Sequence, residues 1–312
     1  MTLLNQLKQK IRLNPAEPTI KNAQIRVIGD RASGKTTYMT ALAYWPNANP
    51  KSPVQSVTAT EDSDSKDLIR YARNVLEKGL DLEPSELMDN LDDVKDYGLD
   101  ILLKDQYSWN PTQLGSPPIR LNLKCKDYAG EFFADLIYKT TDPHLKNYDP
   151  KLKDYLEDCI SATGILLLFD GTSHRLDKKY AQGLEIFLQQ LKGGQSPLEQ
   201  RIAFVINKCE LHRLWGSRHE PKTLADNRFP YTMETLEKWA NGQSKRADYF
   251  TVSAFGVLDE NGHPEPNTVT LAKGREGTRA IIRESENWRP FGLVSPIYWL
   301  CTSKRHQKLD KD

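Results

Sequence analysis

The feature that most constrains this chain is the segment GDRASGKT, from Gly29 to Thr36, which lies between two runs of different character. Before it, AQIRVIG is a short β-branched run, and after it TTYMTALAYW has the composition of a helix. Gly29 and Gly34 let the backbone turn, so that successive N–H groups face inward at the positive end of that helix. The segment therefore predicts a phosphate-binding loop, here called the phosphate loop, between a strand and a helix.

Two side chains of the phosphate loop carry the expected chemistry. Lys35 is expected to bridge the β- and γ-phosphates of a nucleotide. Thr36 is expected to offer its hydroxyl to Mg²⁺, a hard ion that takes few protein ligands. A turn that binds no nucleotide is the alternative. The predicted nucleotide contacts are Gly29, Asp30, Arg31, Ala32, Ser33, Gly34, Lys35, Thr36 and Thr37.

Further apolar runs alternate with segments of helical character along the chain. The runs are IRLNLKCKDYAG, GILLLFDG, RIAFVINK and DYFTVSAFG. The helical segments are LKNYDPKLKDYLEDCISA, LDKKYAQGLEIFLQQLKGG and YTMETLEKWANG. Buried strands that alternate with such helices predict a three-layer α/β fold, a doubly wound and mostly parallel sheet of the P-loop NTPase type.

The domain organisation predicted from these patterns is one α/β domain over residues 21–312, preceded by a leader over residues 1–20. Residues from about 50 to 115 show no strong strand pattern, and we expect a mainly helical insertion there. Residues from about 256 to 278 predict a surface loop or hairpin, and PFGLVSPIYWLC predicts a final helix. Leu4, Leu7 and Ile11 share one face of a leader helix, which would dock on its own domain or contact a partner or membrane surface.

Composition excludes several classes of protein. The formal net charge is +1, so no basic field signals nucleic-acid binding. The four cysteines form no C-x-x-C pair and the six histidines show no paired ligand spacing, which argues against a zinc site. The chain has neither the pattern of a signal peptide nor an apolar stretch of about 18 residues. We expect a soluble, cytoplasmic protein.

A second motif is KDYAGEFF, in which Asp127 ends a strand and Gly130 follows three residues later. An aspartate in this position can hold Mg²⁺ through a water, and a glycine N–H can contact the γ-phosphate. The pair would then report whether the γ-phosphate is present, which predicts a switch. An ordinary turn after a strand is the alternative.

A third motif, INKCEL, follows one strand, and SAF follows the next. With the phosphate loop and D-x-x-G, these motifs resemble, in order, those of the Ras-like GTPases of the P-loop class. The resemblance spans residues from Ala23 to about Phe255. It implies that Asn207 contacts guanine, that Lys208 lies over the ring, and that the Ala254 N–H donates to the guanine carbonyl oxygen. Ser253 and Phe255 complete the predicted base-binding loop.

Glu210 departs from this pattern, because the family has aspartate at the corresponding position. A carboxylate there accepts from the ring N–H and the amino group of guanine, a pairing that adenine does not offer. Glu210 keeps the charge but reaches farther, so GTP stays the preferred nucleotide. A solvated glutamate after a chance Asn-Lys pair is the alternative.

The residues predicted to act in hydrolysis are less regular. Glu131 stands where many members of the family have a water-orienting glutamine, which predicts slow turnover; capping the next helix is its alternative role. Arg31 would approach the γ-phosphate as a built-in cation, block an arginine supplied by a partner, or point to solvent. The resemblance also implies a switch threonine that contacts Mg²⁺, for which Thr112 is preferred over Thr58 and Thr60.

The predicted function is therefore a GTP-binding molecular switch that uses GTP, GDP and Mg²⁺ and hydrolyses GTP slowly. It is similar to the divergent prokaryotic branch of the family, whose members carry insertions between the phosphate loop and D-x-x-G. We expect a protein effector or regulator as its partner. An ATPase with the same phosphate loop and a nucleotide-binding scaffold without turnover are the alternatives.

Overall fold

A computed structural model describes residues 18–44, 52–78, 94–104, 118–128, 130, 132–133, 150–193, 200–243, 245–258, 264–274 and 277–311. The strands are β1 Thr19–Ile28, β2 Val54–Ala59, β3 Asp96–Leu103, β4 Ile119–Asp127, β5 Gly164–Asp170, β6 Arg201–Asn207, β7 Ala247–Thr251, β8 Thr268–Gly274 and β9 Gly277–Ile282. The helices are α1 Lys35–Tyr44, α2 Ser63–Lys78, α3 Pro150–Ser161, α4 Asp177–Gly193, α5 His212–Trp215, α6 Pro221–Arg228, α7 Pro230–Ala240 and α8 Val294–Thr302.

A seven-stranded sheet in the order β2-β3-β4-β1-β5-β6-β7 forms the centre of the molecule. Strand β1 pairs in parallel with β4 and β5, and the parallel pairing continues through β6 to β7. The parallel strands β5 and β6 are buried over almost their whole length, as strands covered by helices on both faces are. The predicted α/β fold class is confirmed.

Two hydrophobic clusters cover the two faces of this sheet. On one face, Met39 of α1 and Ile297 of α8 pack among the cluster that also contains Leu123 of β4. On the other face, Leu184 of α4 and Leu236 of α7 belong to the second cluster. Because helices bury apolar surface on both faces, the polar groups of the sheet are left at the ends of its strands.

The carboxyl ends of the parallel strands meet at one edge of the sheet. Val27 lies opposite Asp127, Asp170 lies opposite Asn207, and Ile206 lies opposite Thr251. The loops that follow these strands therefore project from the same edge, which is where ligands of open α/β sheets bind.

The prediction of a mainly helical insertion over residues 50–115 is wrong in part. Helix α2 is present, but β2 and β3 join the central sheet, with β3 antiparallel to both β2 and β4. The sequence VQSVTA of β2 is short and half polar, and DYGLDILL of β3 contains two aspartates and a glycine, residue types that are depleted in strands. Pairing of β3 with β4, and of β2 with β3, completes these strands.

The C-terminal part follows its prediction more closely. β8 and β9 form an antiparallel hairpin within the predicted loop or hairpin region, and α8 is the predicted final helix. Residues of the predicted leader helix lie outside the described part of the chain. No helix in that described part combines the length and apolar composition needed to cross a membrane.

Candidate functional site

The phosphate loop connects β1 to α1 as predicted. Gly34 has φ +89°, a left-handed conformation that favours glycine, and a Cβ there would lie 2.4 Å from Asn207 Nδ2. Gly29 needs glycine for a different reason, because a Cβ would lie 2.2 Å from the carbonyl oxygen of Leu168 in β5. The two glycines thus allow the loop to pack directly against the strands and loops on its β5 side.

Lys35 lies at the mouth of the loop and is 6% exposed. Its Nζ donates to the carbonyl oxygens of Gly29 at 3.0 Å and Asp30 at 3.1 Å. These bonds hold the ammonium group against the loop, where it would meet bound phosphates. Thr37 lies in the first turn of α1.

Thr36 and Asp127 bring two hard oxygen atoms together. Thr36 Oγ1 lies 3.5 Å from Asp127 Oδ2, and Asp127 is 6% exposed at the end of β4. A hydroxyl and a carboxylate beside the phosphate loop form a donor set that suits Mg²⁺. The arrangement therefore fits the metal predicted from the sequence.

Asp30 is held on the side of the loop that faces α4. Its Oδ1 accepts from the Arg31 N–H at 2.7 Å, and its Oδ2 accepts from the Tyr180 hydroxyl at 2.8 Å. Burial, and then the charge of Asp30, raise the pKa of Tyr180. The sequence does not indicate Tyr180, because no motif links a helix residue to a loop so distant along the chain.

The backbone of Gly130 packs on the phosphate loop. A Cβ at Gly130 would lie 2.6 Å from both the N and the Cα of Arg31, so only glycine fits there. Arg31 itself has an exposed side chain. Glu131 lies outside the described residues, and its role stays a prediction.

The INKCEL motif at the end of β6 is bonded to the phosphate loop. Asn207 Nδ2 donates to the Ser33 carbonyl oxygen at 2.9 Å, and Lys208 Nζ donates to that of Ala32 at 2.9 Å. Lys208 adopts φ +64° and also pairs with Asp170, Nζ to Oδ2 at 2.6 Å. The two motifs thus form one connected structure.

Asp170 has two roles. Its Oδ1 accepts from the backbone N–H of Thr172 at 2.8 Å, which stabilises the turn after β5. Its Oδ2 holds Lys208, and this ion pair was not predicted. The register of β5 and β6 brings the two together, since Asp170 lies opposite Asn207.

Glu210 is 4% exposed at this edge of the sheet. Burial raises the pKa of its carboxyl group, against the hydrogen bond from Ser253, which lowers it. The other oxygen, Oε2, is buried and has no hydrogen-bond partner among the described residues. A buried acceptor of this kind is costly unless a ligand supplies a donor.

The Ser253–Phe255 loop is bonded to residues 288–291, a segment that no sequence motif indicates. Ser253 N–H donates to the Phe291 carbonyl at 3.0 Å, and Phe291 N–H donates to the Ser253 carbonyl at 2.9 Å. The Trp288 indole N–H donates to the carbonyl oxygen of Ala254 at 2.8 Å. These contacts join residues separated by the β8–β9 hairpin, so no sequence spacing indicates them.

The two candidate switch threonines that the structure describes, Thr58 and Thr60, lie away from this site. Thr60 Oγ1 lies 3.3 Å from the Gly98 carbonyl oxygen and bonds to Asp62 at the start of α2. Thr58 lies in β2, which β3 and β4 separate from β1. Thr112 lies outside the described residues.

The described residues that flank the segment around Thr112 lie at the end of the sheet opposite the phosphate loop. Pro118 bonds to Thr19 at the start of β1, and Lys104 bonds to Pro53 at the start of β2. Pro118 lies nine residues before the end of β4 at Asp127, so this end of the sheet lies about 30 Å from the phosphate loop at a rise of roughly 3.3 Å per residue. The role of Thr112 stays a prediction.

The strand order, with helices on both faces of the sheet, gives the chain a three-layer α/β fold in which the phosphate loop connects β1 to α1. No protein-family model and no curated protein sequence matches the chain. It is similar in structure to the bacterial selenocysteine-specific elongation factor EF-Sec, at 13% identity and a TM-score of 0.32, over 75% of this chain and 26% of the other.

Two further solved structures are similar. The Saccharomyces cerevisiae Ski7 GTPase-like domain, bound to GTP, is 12% identical with a TM-score of 0.37, over 81% of this chain and 45% of the other. The signal recognition particle receptor SRb-GTP/SRX complex from Chaetomium thermophilum is 13% identical with a TM-score of 0.37, over 77% of this chain and 93% of the other. This chain therefore spans less than half the length of the first two.

Proposed function

We propose that this chain binds guanine nucleotides together with Mg²⁺ and hydrolyses GTP slowly, as a nucleotide-dependent switch. The support is local: the phosphate loop, the D-x-x-G segment, the N-K-x-E motif and the Ser253–Ala254 loop converge at one edge of the sheet. Each supplies a different part of a nucleotide site.

The observation that carries the choice of guanine is the buried Glu210 carboxyl, whose Oε2 has no hydrogen-bond partner among the described residues. Guanine offers a ring N–H and an amino group on one edge, and a carboxylate accepts from both. Adenine offers an acceptor in place of the ring N–H, which would leave the buried carboxylate unsatisfied. This supports GTP over ATP.

The phosphate groups would be bound by the loop amides and by Lys35. Thr36 and Asp127 would hold Mg²⁺, which neutralises charge on the phosphate oxygens when bound. Arg31 would add a cation beside the γ-phosphate, and the Gly130 N–H would donate to it. Glu131 would occupy the water-orienting position, and Thr112 stays the proposed switch threonine.

The partners and the setting of the switch are also proposals. A protein effector or regulator would distinguish the GTP-bound from the GDP-bound form through the D-x-x-G segment. The leader would dock on the domain rather than on a membrane. The proposed localisation is cytoplasmic.

The nucleotide proposal is tested by titrating the protein with a fluorescent GDP analogue, with and without Mg²⁺, and then displacing it with GTP or ATP. We expect Mg²⁺-dependent binding that GTP displaces and ATP does not. Lys35→Ala should weaken binding strongly, whereas Lys153→Ala, at a side chain that is 69% exposed, should not. Equal displacement by ATP would remove the guanine proposal.

Hydrolysis of GTP needs a separate test. A glutamate at position 131, in place of a water-orienting glutamine, also fits a scaffold that binds nucleotide without hydrolysing it. A carboxylate near the γ-phosphate repels its charge unless it is protonated. Phosphate release from a single turnover of bound GTP, followed for hours, decides between the two. Release that is no faster than free GTP in buffer would favour the scaffold.

A further inference from the structure

The base-binding loop is held from outside by a short segment, Trp288–Phe291, here called the clamp. The clamp follows the β8–β9 hairpin and precedes α8. It contacts Ser253 through a two-way backbone pairing, Ala254 through an indole hydrogen bond and Gly256 through backbone packing. No described part of the clamp belongs to the motifs that predict nucleotide binding.

We propose that Trp288 and the backbone of Phe291 are positioning elements that aim the Ala254 N–H at the guanine carbonyl oxygen, so that the clamp sets the selectivity for 6-oxopurines. This inference rests on the proposed function, since it requires guanine to bind beside Ala254. It goes beyond that proposal by assigning the selectivity to a segment outside the four motifs.

The peptide unit between Ser253 and Ala254 is fixed by the clamp. The Phe291 N–H binds the Ser253 carbonyl oxygen at 2.9 Å. In a trans peptide, the carbonyl and the following N–H point in opposite directions. The Ala254 N–H therefore points away from Phe291, and no described residue accepts a hydrogen bond from it. It is a donor aimed outward from the clamp.

The next peptide unit, which carries the Ala254 carbonyl oxygen, is fixed by the clamp as well. The Trp288 Nε1–H donates to the Ala254 carbonyl oxygen at 2.8 Å, and the indole is only 3% exposed. The indole ring also lies 6.0 Å from the ring of Tyr44, the last residue of α1. With both of its flanking peptides bonded, Ala254 has little freedom to rotate its N–H away from the ligand.

Gly256 shows how closely the loop and the clamp approach each other. It adopts φ +70°, and a Cβ there would lie 1.9 Å from the Arg289 carbonyl oxygen. The Gly256 N–H donates to Ser253 Oγ at 2.8 Å, and the Ser253 side chain also bonds to Glu210. The clamp therefore helps to set both predicted guanine contacts, Ala254 and Glu210.

The test is Trp288→Phe, which keeps an aromatic ring and removes the indole donor. The affinity of the full chain is measured for GTP and for 2-aminopurine riboside triphosphate, which lacks the 6-oxo group and the ring N–H of guanine but keeps its 2-amino group. Loss of one positioned hydrogen bond should weaken GTP binding about threefold to tenfold. Binding of the 2-aminopurine nucleotide should change by less than about twofold, because it never used the Ala254 donor.

A matched control is available at Trp239. Its Nε1 is buried and has no hydrogen-bond partner among the described residues, so Trp239→Phe removes no bond. We expect no change in either affinity. Gly256→Ala is a second, independent perturbation of the clamp, and it should lower the ratio of the two affinities in the same direction as Trp288→Phe. Thermal unfolding of each variant confirms that it is folded.

Two results would overturn the inference while leaving the proposed function in place. One is an unchanged ratio of affinities in both clamp variants that bind GTP. The other is an equal loss for both nucleotides, which indicates general destabilisation of the site. Failure of the wild-type chain to bind GTP at all would instead overturn the proposed function, and this inference with it.

Discussion

Glu210→Gln is the substitution that separates the guanine proposal from its alternatives. Glutamine keeps the shape of the side chain but replaces one acceptor oxygen by an amide donor. Guanine presents two donors to this position, whereas xanthine presents a ring N–H and a carbonyl oxygen. The variant should therefore lose GTP and gain xanthosine triphosphate.

The magnitude follows from the burial of the carboxyl group. Hydrogen bonds to a charged group contribute about 1.5–3 kcal/mol each, and the variant loses one such bond while placing a donor against a donor. A loss of about 3 kcal/mol corresponds to roughly a hundredfold weaker GTP binding. The gain for xanthosine triphosphate should be at least about tenfold.

The same substitution should stabilise the nucleotide-free protein. Burial raises the pKa of Glu210 above its ordinary 4.5. The stability that Glu210 contributes is then present below the pKa of the unfolded state and is lost as the pH rises through the folded-state pKa. Glutamine carries no charge to desolvate, so the free energy of unfolding at pH 7.5 should rise by about 1 kcal/mol.

The assay is displacement of a fluorescent nucleotide by GTP, ATP and xanthosine triphosphate, together with thermal unfolding without nucleotide. Glu157→Gln is the control, because its side chain is 63% exposed and forms a helical pair with Lys153. If Glu210→Gln preserves the ratio of GTP to xanthosine triphosphate affinity, the carboxyl group does not contact the base and the reasoning is refuted.

Three further predictions concern the same site. Gly130→Ala places a Cβ 2.6 Å from Arg31 N in the phosphate loop, so it should slow single-turnover GTP hydrolysis about 100-fold and also weaken GDP binding; a normal rate contradicts a role at the γ-phosphate. Gly34→Ala, at φ +89° and 2.4 Å from Asn207 Nδ2, should lower the free energy of unfolding by at least about 1 kcal/mol in urea denaturation; an unchanged midpoint argues against the described loop. Because burial raises the pKa of Glu210, GTP affinity should increase with pH in the range above 4.5 and then level off; the same slope in Glu210→Gln would assign it to another group.

Local patterns were sufficient to predict the parallel strands and the phosphate loop. Strand β5 is apolar over its length because helices cover both of its faces, so its sequence alone indicates a buried strand. Strands β2 and β3 lie toward one edge of the sheet and pair antiparallel with each other. Polar, acidic and glycine residues interrupt their local strand pattern, so pairing with a neighbouring strand is needed to define them.

The residues of the candidate site also fall into those that local sequence motifs predict and those that they do not. Asn207 and Gly34 belong to motifs whose spacing is set by a single turn, and the structure brings them into contact. Tyr180, Trp288 and Phe291 act through contacts between segments far apart in the chain. Such contacts depend on how helices and loops pack on the sheet, which periodicity does not encode.

The D-x-x-G segment has a second anchor beneath the sheet edge. The hydroxyl of Tyr128 donates to Asp158 of α3, and Asp158 forms an ion pair with Arg26 of β1, Nε to Oδ2 at 2.6 Å. Burial opposes ionisation of Asp158, but the hydrogen bonds from Arg26 and Tyr128 outweigh it and lower the pKa of that carboxyl group. Because α3 precedes β5 directly, this network links the D-x-x-G segment to the strand that ends at Asp170.

Hydrogen bonds from Asn207 and Lys208 stabilise the conformation of the phosphate loop. Carbonyl oxygens of Ala32 and Ser33 are occupied by Lys208 and Asn207, whose bonds leave the loop backbone with one arrangement. A binding loop that is already ordered requires less loss of conformational entropy when its ligand binds. In the proposed function, phosphate and base recognition would therefore be coupled through shared backbone atoms, and a change at Asn207 would act on the phosphates as well as on the base.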